Sequence, residues 1–244
     1  MIFINRETEL LELENIAKLS EKRLFTTLIY GPRRVGKTEL IKHASKSMHS
    51  LYFFVYEGKT KESLLKEFEM ELKEKGYIDK DVGIKDFDSF IRLLFRVCEN
   101  TRIIFDEVQY MKNVYPAFFS VLQREIDENQ QKKMHFVFLG SIIGLIKKVF
   151  EDSKAPLYGR MKSSLNLKPL SYKNVRVFLK KLKYNNEEDF IKFYSVFGGF
   201  PKYYTAMHDF NLEGEDFEDV IKYLFFRDSA PLRNEAVFIL RSEF

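Results

Sequence analysis

Tryptophan is absent from this sequence of 244 residues, and cysteine occurs once, as Cys98. One cysteine can form no internal disulfide, so no covalent cross-link supports the fold and nothing points to an oxidising compartment; a buried structural thiol is expected at Cys98. Histidine is scarce too. His43, His49, His135 and His208 are scattered without ligand spacing, which argues against a metal held by His and Cys. No stretch approaches about 18 uninterrupted apolar residues, the length a membrane span needs. The start, Met1-Ile2-Phe3-Ile4-Asn5-Arg6-Glu7, lacks the basic flank and apolar run of a signal peptide. The expectation is therefore a cytoplasmic chain with no membrane partner. Charge of one sign is likewise missing: 40 Lys and Arg against 36 Asp and Glu leave a net charge of +4. That balance is below what nucleic-acid binding draws on, so charge leaves a nucleic-acid partner unsupported.

What is present is a large apolar complement, 45% of residues, with 25 Phe expected mainly in a core. Short apolar runs at 24–30, 51–56, 102–105, 135–139 and 163–167 alternate with amphipathic stretches at 39–48, 61–75, 87–98, 115–129 and 145–151. This alternation is the pattern of βα units and a parallel sheet. After Pro169 the strand signal fades, and 172–182, 187–197 and 217–226 read as helices. The expected division is a core over 1–169 and a helical lid over 170–244. Residues 236–241 read as a further helix.

Gly31-Pro32-Arg33-Arg34-Val35-Gly36-Lys37-Thr38 matches G-x-x-x-x-G-K-[ST] between an expected strand and an expected helix. The glycines allow successive backbone N–H groups to point at phosphate oxygens, and the following helix N-terminus adds partial positive charge. Lys37 would reach the β- and γ-phosphates of ATP, and Thr38 would ligate Mg2+. About 70 residues on, Arg102-Ile103-Ile104-Phe105-Asp106-Glu107 is an apolar strand ending in two carboxylates. Asp106 suits the metal shell, while Glu107 is placed to polarise an attacking water. A solvated acidic turn is the alternative reading of that pair. The adjacent Asp-Glu favours ATP over GTP, and no Asn-Lys-x-Asp guanine-reading motif occurs.

These motifs resemble the archaeal-type ATPases, within the AAA+ and STAND-like P-loop ATPases, from Phe3 to about Tyr204. Besides the phosphate loop, the resemblance is carried by Phe3-Ile4-Asn5-Arg6-Glu7-Thr8-Glu9, Ile103-Ile104-Phe105-Asp106-Glu107-Val108-Gln109 and Phe138-Leu139-Gly140-Ser141. Leu157-Tyr158-Gly159-Arg160 and Gly198-Gly199-Phe200-Pro201 complete it. It implies an α/β P-loop NTPase fold, with a five-stranded parallel sheet in the order 5-1-4-3-2 and a C-terminal helical lid. It further implies that Ser141 senses the γ-phosphate and that Arg160 approaches the γ-phosphate of a neighbouring subunit in a homo-oligomer. Asn5, Arg6 and Pro201 would lie near the adenine. Ser141 reads equally as a helix cap, Arg160 as a surface or interface arginine, and the Gly198-Gly199 segment as a plain helix stop. The family more often has glycine where Asn5 stands, and Asn also tolerates positive φ.

The resulting expectation is a Mg2+-dependent ATPase acting as a nucleotide-driven switch on an unknown protein client. Its rivals are a DNA-associated loader or remodeller and a non-hydrolysing ATP-dependent scaffold, the latter disfavoured by Glu107. A small-molecule kinase ranks behind these because no second substrate site can be read.

Overall fold

Each apolar run becomes a strand because it is short, bounded by polar or glycine-bearing turns, and able to bury side chains on two faces alternately. In the computed structural model, which describes residues 3–235 and 237, the chain opens with α1 (Glu7–Ser20), β1 (Phe25–Tyr30), α2 (Lys37–Ala44), β2 (Ser50–Phe54), α3 (Lys61–Glu74) and α4 (Phe87–Val97). It continues with β3 (Thr101–Asp106), a 3-10 turn (Val108–Tyr110), α5 (Met111–Val114), α6 (Phe118–Glu128), β4 (Met134–Gly140), α7 (Ile143–Phe150) and β5 (Ser163–Asn166). There follow α8 (Tyr172–Lys181), α9 (Glu187–Phe197), α10 (Pro201–Asp209), α11 (Phe217–Ile221) and a π-helical turn (Lys222–Phe226). The helix expected at 236–241 lies outside the described residues apart from Val237.

The strands form one parallel sheet in the order β2-β3-β4-β1-β5, the order that the resemblance implied. Helices differ more from expectation. The helix expected at 115–129 begins only at Phe118, past Pro116, as α6, and the single turn α5 precedes the expected stretch. The run at 217–226 changes from α- to π-helical hydrogen bonding after Ile221. Pro201, read as part of a stop signal, opens α10 at its first position, where its missing N–H costs nothing.

The described residues form two compact units. One comprises 7–30 and 40–166 and holds the sheet; the other comprises 3–6, 31–39 and the described residues from 167 on. In the sheet unit one face is covered by α3, α4, α6 and α7, whose Phe68, Phe90, Phe118 and Phe150 join Phe53, Phe105 and Phe138 of the strands. Cys98 is buried in this core as expected, and desolvation pushes its thiol up to about 12, so it is an inert apolar filler. The other unit has its own core of Phe178, Phe193, Phe197, Tyr204, Leu224 and neighbours. Among the described residues no helix is long and apolar enough to cross a membrane.

The second face of the sheet carries a polar network. Arg102 is fully buried, and its Nε donates to His135 Nδ1 at 3.1 Å while Nη1 donates to Ala44 O at 2.6 Å and Ser45 Oγ at 2.8 Å. The guanidinium has no acceptor lone pair, so His135 Nδ1 must accept, which leaves Nε2–H to donate to Thr27 Oγ1 at 2.9 Å. Burial and the adjacent Arg102 charge hold His135 well below its ordinary 6.5. The folded chain therefore refuses a proton that the unfolded chain accepts. Stability is full above about pH 6.5 and falls below it, by about 1.4 kcal/mol per pH unit for this one group. In urea titrations between pH 7.5 and 5, His135→Asn is expected to lose this component while keeping an acceptor for Arg102. An unchanged slope would assign the acid sensitivity to other groups.

Candidate active site

Tyr30, the last residue of β1, leads directly into the loop Gly31–Thr38, and the loop gives way to α2 at Lys37. Backbone geometry here is special. Gly31 has φ +152, and a Cβ added to it would lie 2.2 Å from Leu167 O, so only glycine fits. Gly36 has φ +95 and Arg34 φ 67. Asn5 and Arg6, in the same unit, also hold positive φ, 60 and 86, the conformation for which Asn substitutes for glycine. Arg6 ties the unit together by donating from Nη2 to Val35 O at 3.2 Å and Lys168 O at 2.7 Å. Lys37 is buried, and its ammonium donates to Gly31 O at 2.8 Å and Pro32 O at 2.9 Å. The Pro201 ring stands near the same loop, its Cγ 4.0 Å from where a Cβ on Gly36 would be. Gly199 passes so close to Leu170 that an added Cβ would lie 2.0 Å from Leu170 O, while Leu170 N donates to Gly199 O at 2.8 Å. Gly199 is thus required by a backbone approach, whereas Gly198 holds a positive φ of 54.

The carboxylates belong to the sheet unit. Asp106 closes β3 and is 2% exposed; its Oδ1 accepts from Glu107 N at 2.9 Å and its Oδ2 from Tyr52 Oη at 2.5 Å. Glu107 sits in the left-handed region at φ 53, ψ 39, a strained conformation for a residue with a side chain, of a kind concentrated at functional sites. Because β3 pairs with β4, the end of β4 brings Ser141 beside it: Ser141 Oγ donates to Glu107 Oε2 at 2.7 Å. Gln109 Nε2 donates to the same oxygen at 2.5 Å. Ser141 is not the cap of α7; Ile142 holds that position and offers no side-chain hydrogen bond. Within this unit the parallel strands place Asp106, Glu107 and Ser141 at one end of the sheet, the carboxyl edge at which open α/β sheets bind ligands.

A family described as an ATPase domain predominantly from Archaea matches residues 3–207. The chain belongs to this family. It is 28% identical over 249 aligned positions to the protein MJECL04 of Methanocaldococcus jannaschii, itself uncharacterised, covering all of this chain and 51% of that one. The chain thus spans about half the length of the curated relative it matches. In fold it is similar to the Walker-type ATPase PABY2304 of Pyrococcus abyssi, with a TM-score of 0.69, 19% identity, and coverage of 98% of this chain and 74% of that one. A second similar structure is the ORC2 protein of Aeropyrum pernix in its ADPNP–ADP complexes, with a TM-score of 0.55, 17% identity, and coverage of 72% and 50%.

Within this ATPase domain, Arg160 lies in the sheet unit, just before β5. Arg160 directs its guanidinium at Asp127, Nε at 2.9 Å and Nη2 at 2.8 Å, and its Nη1 donates to Pro156 O and Tyr158 O at 3.0 and 3.1 Å. Three residues with no assigned role in the sequence reading join the motifs. Tyr52 holds Asp106, and Gln109 holds Glu107. Glu235, 8% exposed, pairs with Arg34 and accepts from Tyr203 Oη at 3.1 Å. Gln109 was legible as part of the strand-end motif. Tyr52 and Glu235 carry no local signature, being an ordinary strand tyrosine and an ordinary helix glutamate.

Proposed function

We propose that this ATPase domain binds ATP with magnesium and hydrolyses it, relaying the state of the bound nucleotide to residues 167–235. The observation that carries this reading is the Glu107 carboxylate, held by Ser141 and Gln109 directly after the buried Asp106. A non-hydrolysing scaffold has no need of such a restrained carboxylate. The nucleotides named for the Aeropyrum ORC2 complexes support the ligand class.

Residues 31–38 would take the phosphates, with the backbone N–H groups of the loop and Lys37 as donors. Among the described residues there is no cluster of three or more acidic, His or Cys side chains able to hold a metal by themselves. This suits magnesium, which keeps several waters and uses one or two protein oxygens plus substrate phosphates. Thr38 and Asp106 would supply those oxygens, and the bound ion would neutralise charge developing on the transferred phosphoryl group. Glu107 would take the proton of the attacking water. Ser141 orients that carboxylate, and Tyr52 fixes Asp106. The relay is assigned to the unit that contains the phosphate loop, in which Arg6, Arg34 and Gly31 already connect the loop to Lys168, Glu235 and Leu167.

Phosphate release from Mg-ATP, measured with and without chelator, with and without duplex DNA and at several protein concentrations, tests the reading. Chelator-sensitive turnover supports hydrolysis, and ATP binding without turnover overturns it. Stimulation by DNA would favour the loader reading. Arg160 enters catalysis in trans only by leaving Asp127, so that role requires turnover per chain to rise with concentration and Arg160→Ala to remove the rise. Concentration-independent turnover would leave Arg160 as the clamp on Asp127.

A further inference from the structure

Gln109 is 3% exposed, and only half of its amide is used. Nε2 donates to Glu107 Oε2 at 2.5 Å, whereas Oε1 is buried and accepts no hydrogen bond from any described residue. That oxygen lies against the end of β4, 2.8 Å from where a Cβ on Gly140 would be. A buried carbonyl without a donor has lost its water and gained nothing in return, so for stability alone an apolar side chain of similar length is the better occupant. What leucine or methionine cannot do there is donate to a carboxylate.

We propose that Gln109 is a positioning residue for Glu107, selected for the hydrogen bond from Nε2 at the expense of its own unpaired oxygen. The inference rests on the hydrolytic reading above. With Gln109 and Ser141 both on Oε2, the side chain of Glu107 is held in one orientation, and Oε1 is the oxygen left to receive a proton from water. Ser141 reaches Glu107 from the next strand and Gln109 from the turn that follows it, so the two restraints approach from different elements. Removing either leaves the carboxylate on a single hydrogen bond, free to swing.

The test uses Gln109→Leu, with Gln109→Met as a second variant should Leu pack badly, each alone and combined with Glu107→Gln. Steady-state ATP turnover, affinity for a labelled ATP analogue and the unfolding midpoint without nucleotide are measured for all. The expected result is a kcat at least about 10-fold lower, within the range attributed to general-base catalysis. KM and analogue affinity should stay within about twofold, and the midpoint should not fall, because the unpaired oxygen has gone. In the Glu107→Gln background the same substitutions should cost no further turnover, since the group they position is already disabled. A kcat equal to that of the unsubstituted chain in both variants overturns the proposal. So does an equal fractional loss in the two backgrounds, which would mean that Gln109 supports the fold and not Glu107. If the unsubstituted chain hydrolyses nothing, the hydrolytic reading itself falls and this inference with it. If the chain hydrolyses ATP and Glu107→Gln is slow while the Gln109 variants match the unsubstituted chain, only this inference falls.

Discussion

Glu107→Gln is expected to bind ATP as the unsubstituted chain does and to hydrolyse it about 100-fold more slowly, or worse. The magnitude follows from general-base catalysis, which contributes about 10²–10⁴-fold, or about 2.7 kcal/mol of barrier at the lower end. The structure makes the substitution a clean one. Ser141 Oγ and Gln109 Nε2 are both donors to one oxygen of Glu107. An amide oxygen can still accept both of these bonds, though without the carboxylate's charge, so the turn after β3 keeps its partners while the proton acceptor is lost. Analogue affinity and single-turnover phosphate release, measured on the same preparation, separate binding from chemistry. Turnover at the level of the unsubstituted chain would remove Glu107 from the mechanism and restore the structural-turn reading of this acidic pair.

Lys37→Ala is expected to abolish ATP binding at ordinary concentrations while leaving the fold intact. Its ammonium donates to the Gly31 and Pro32 carbonyls, folded back over the loop that begins the helix. Both are exchangeable for phosphate oxygens, and a charge-assisted hydrogen bond contributes about 1.5–3 kcal/mol. Two such bonds to the β- and γ-phosphates make the expected loss about 10²-fold at least. The first turn of α2 tolerates alanine, the best helix former, so circular dichroism and the unfolding transition should change little. Equilibrium titration with a fluorescent ATP analogue decides the matter. Affinity unchanged in a folded variant would mean that residues 31–38 are not the phosphate site.

The legible parts of this protein were those whose cause is local. All five strands were placed from their own residues to within about two positions at either end, because short apolar runs between polar turns have few other ways to bury themselves. The phosphate loop was legible from two glycines, a lysine and a threonine at fixed spacing. Helix limits were less so. α1, α5 and α10 are not evident from sequence: α1 spreads its leucines around the helix and leaves Leu11 and Leu19 exposed, α5 is a single turn, and Gly198-Gly199 ahead of Pro201 reads as a stop. The strand order came from the resemblance and not from periodicity, since five apolar runs can be paired in many parallel orders with equal local sense.

The sequence by itself determined the strand segments, the loop at 31–38 and the position of Asp106 and Glu107 at the end of a buried strand. Each depends on neighbours a few residues away. Tertiary structure alone decided who holds those groups: Ser141 reaches Glu107 across 34 residues of sequence, and Tyr52 reaches Asp106 across 54. It also decided that Gly31 and Gly199 are glycines of close approach, set by the backbones of Leu167 and Leu170 and not by turn geometry alone. The physical reason is that a hydrogen bond fixes distance and direction in space. Spacing along the chain determines those only within one helix, turn or strand, whereas lateral pairing of strands brings together ends whose separation in sequence carries no such information.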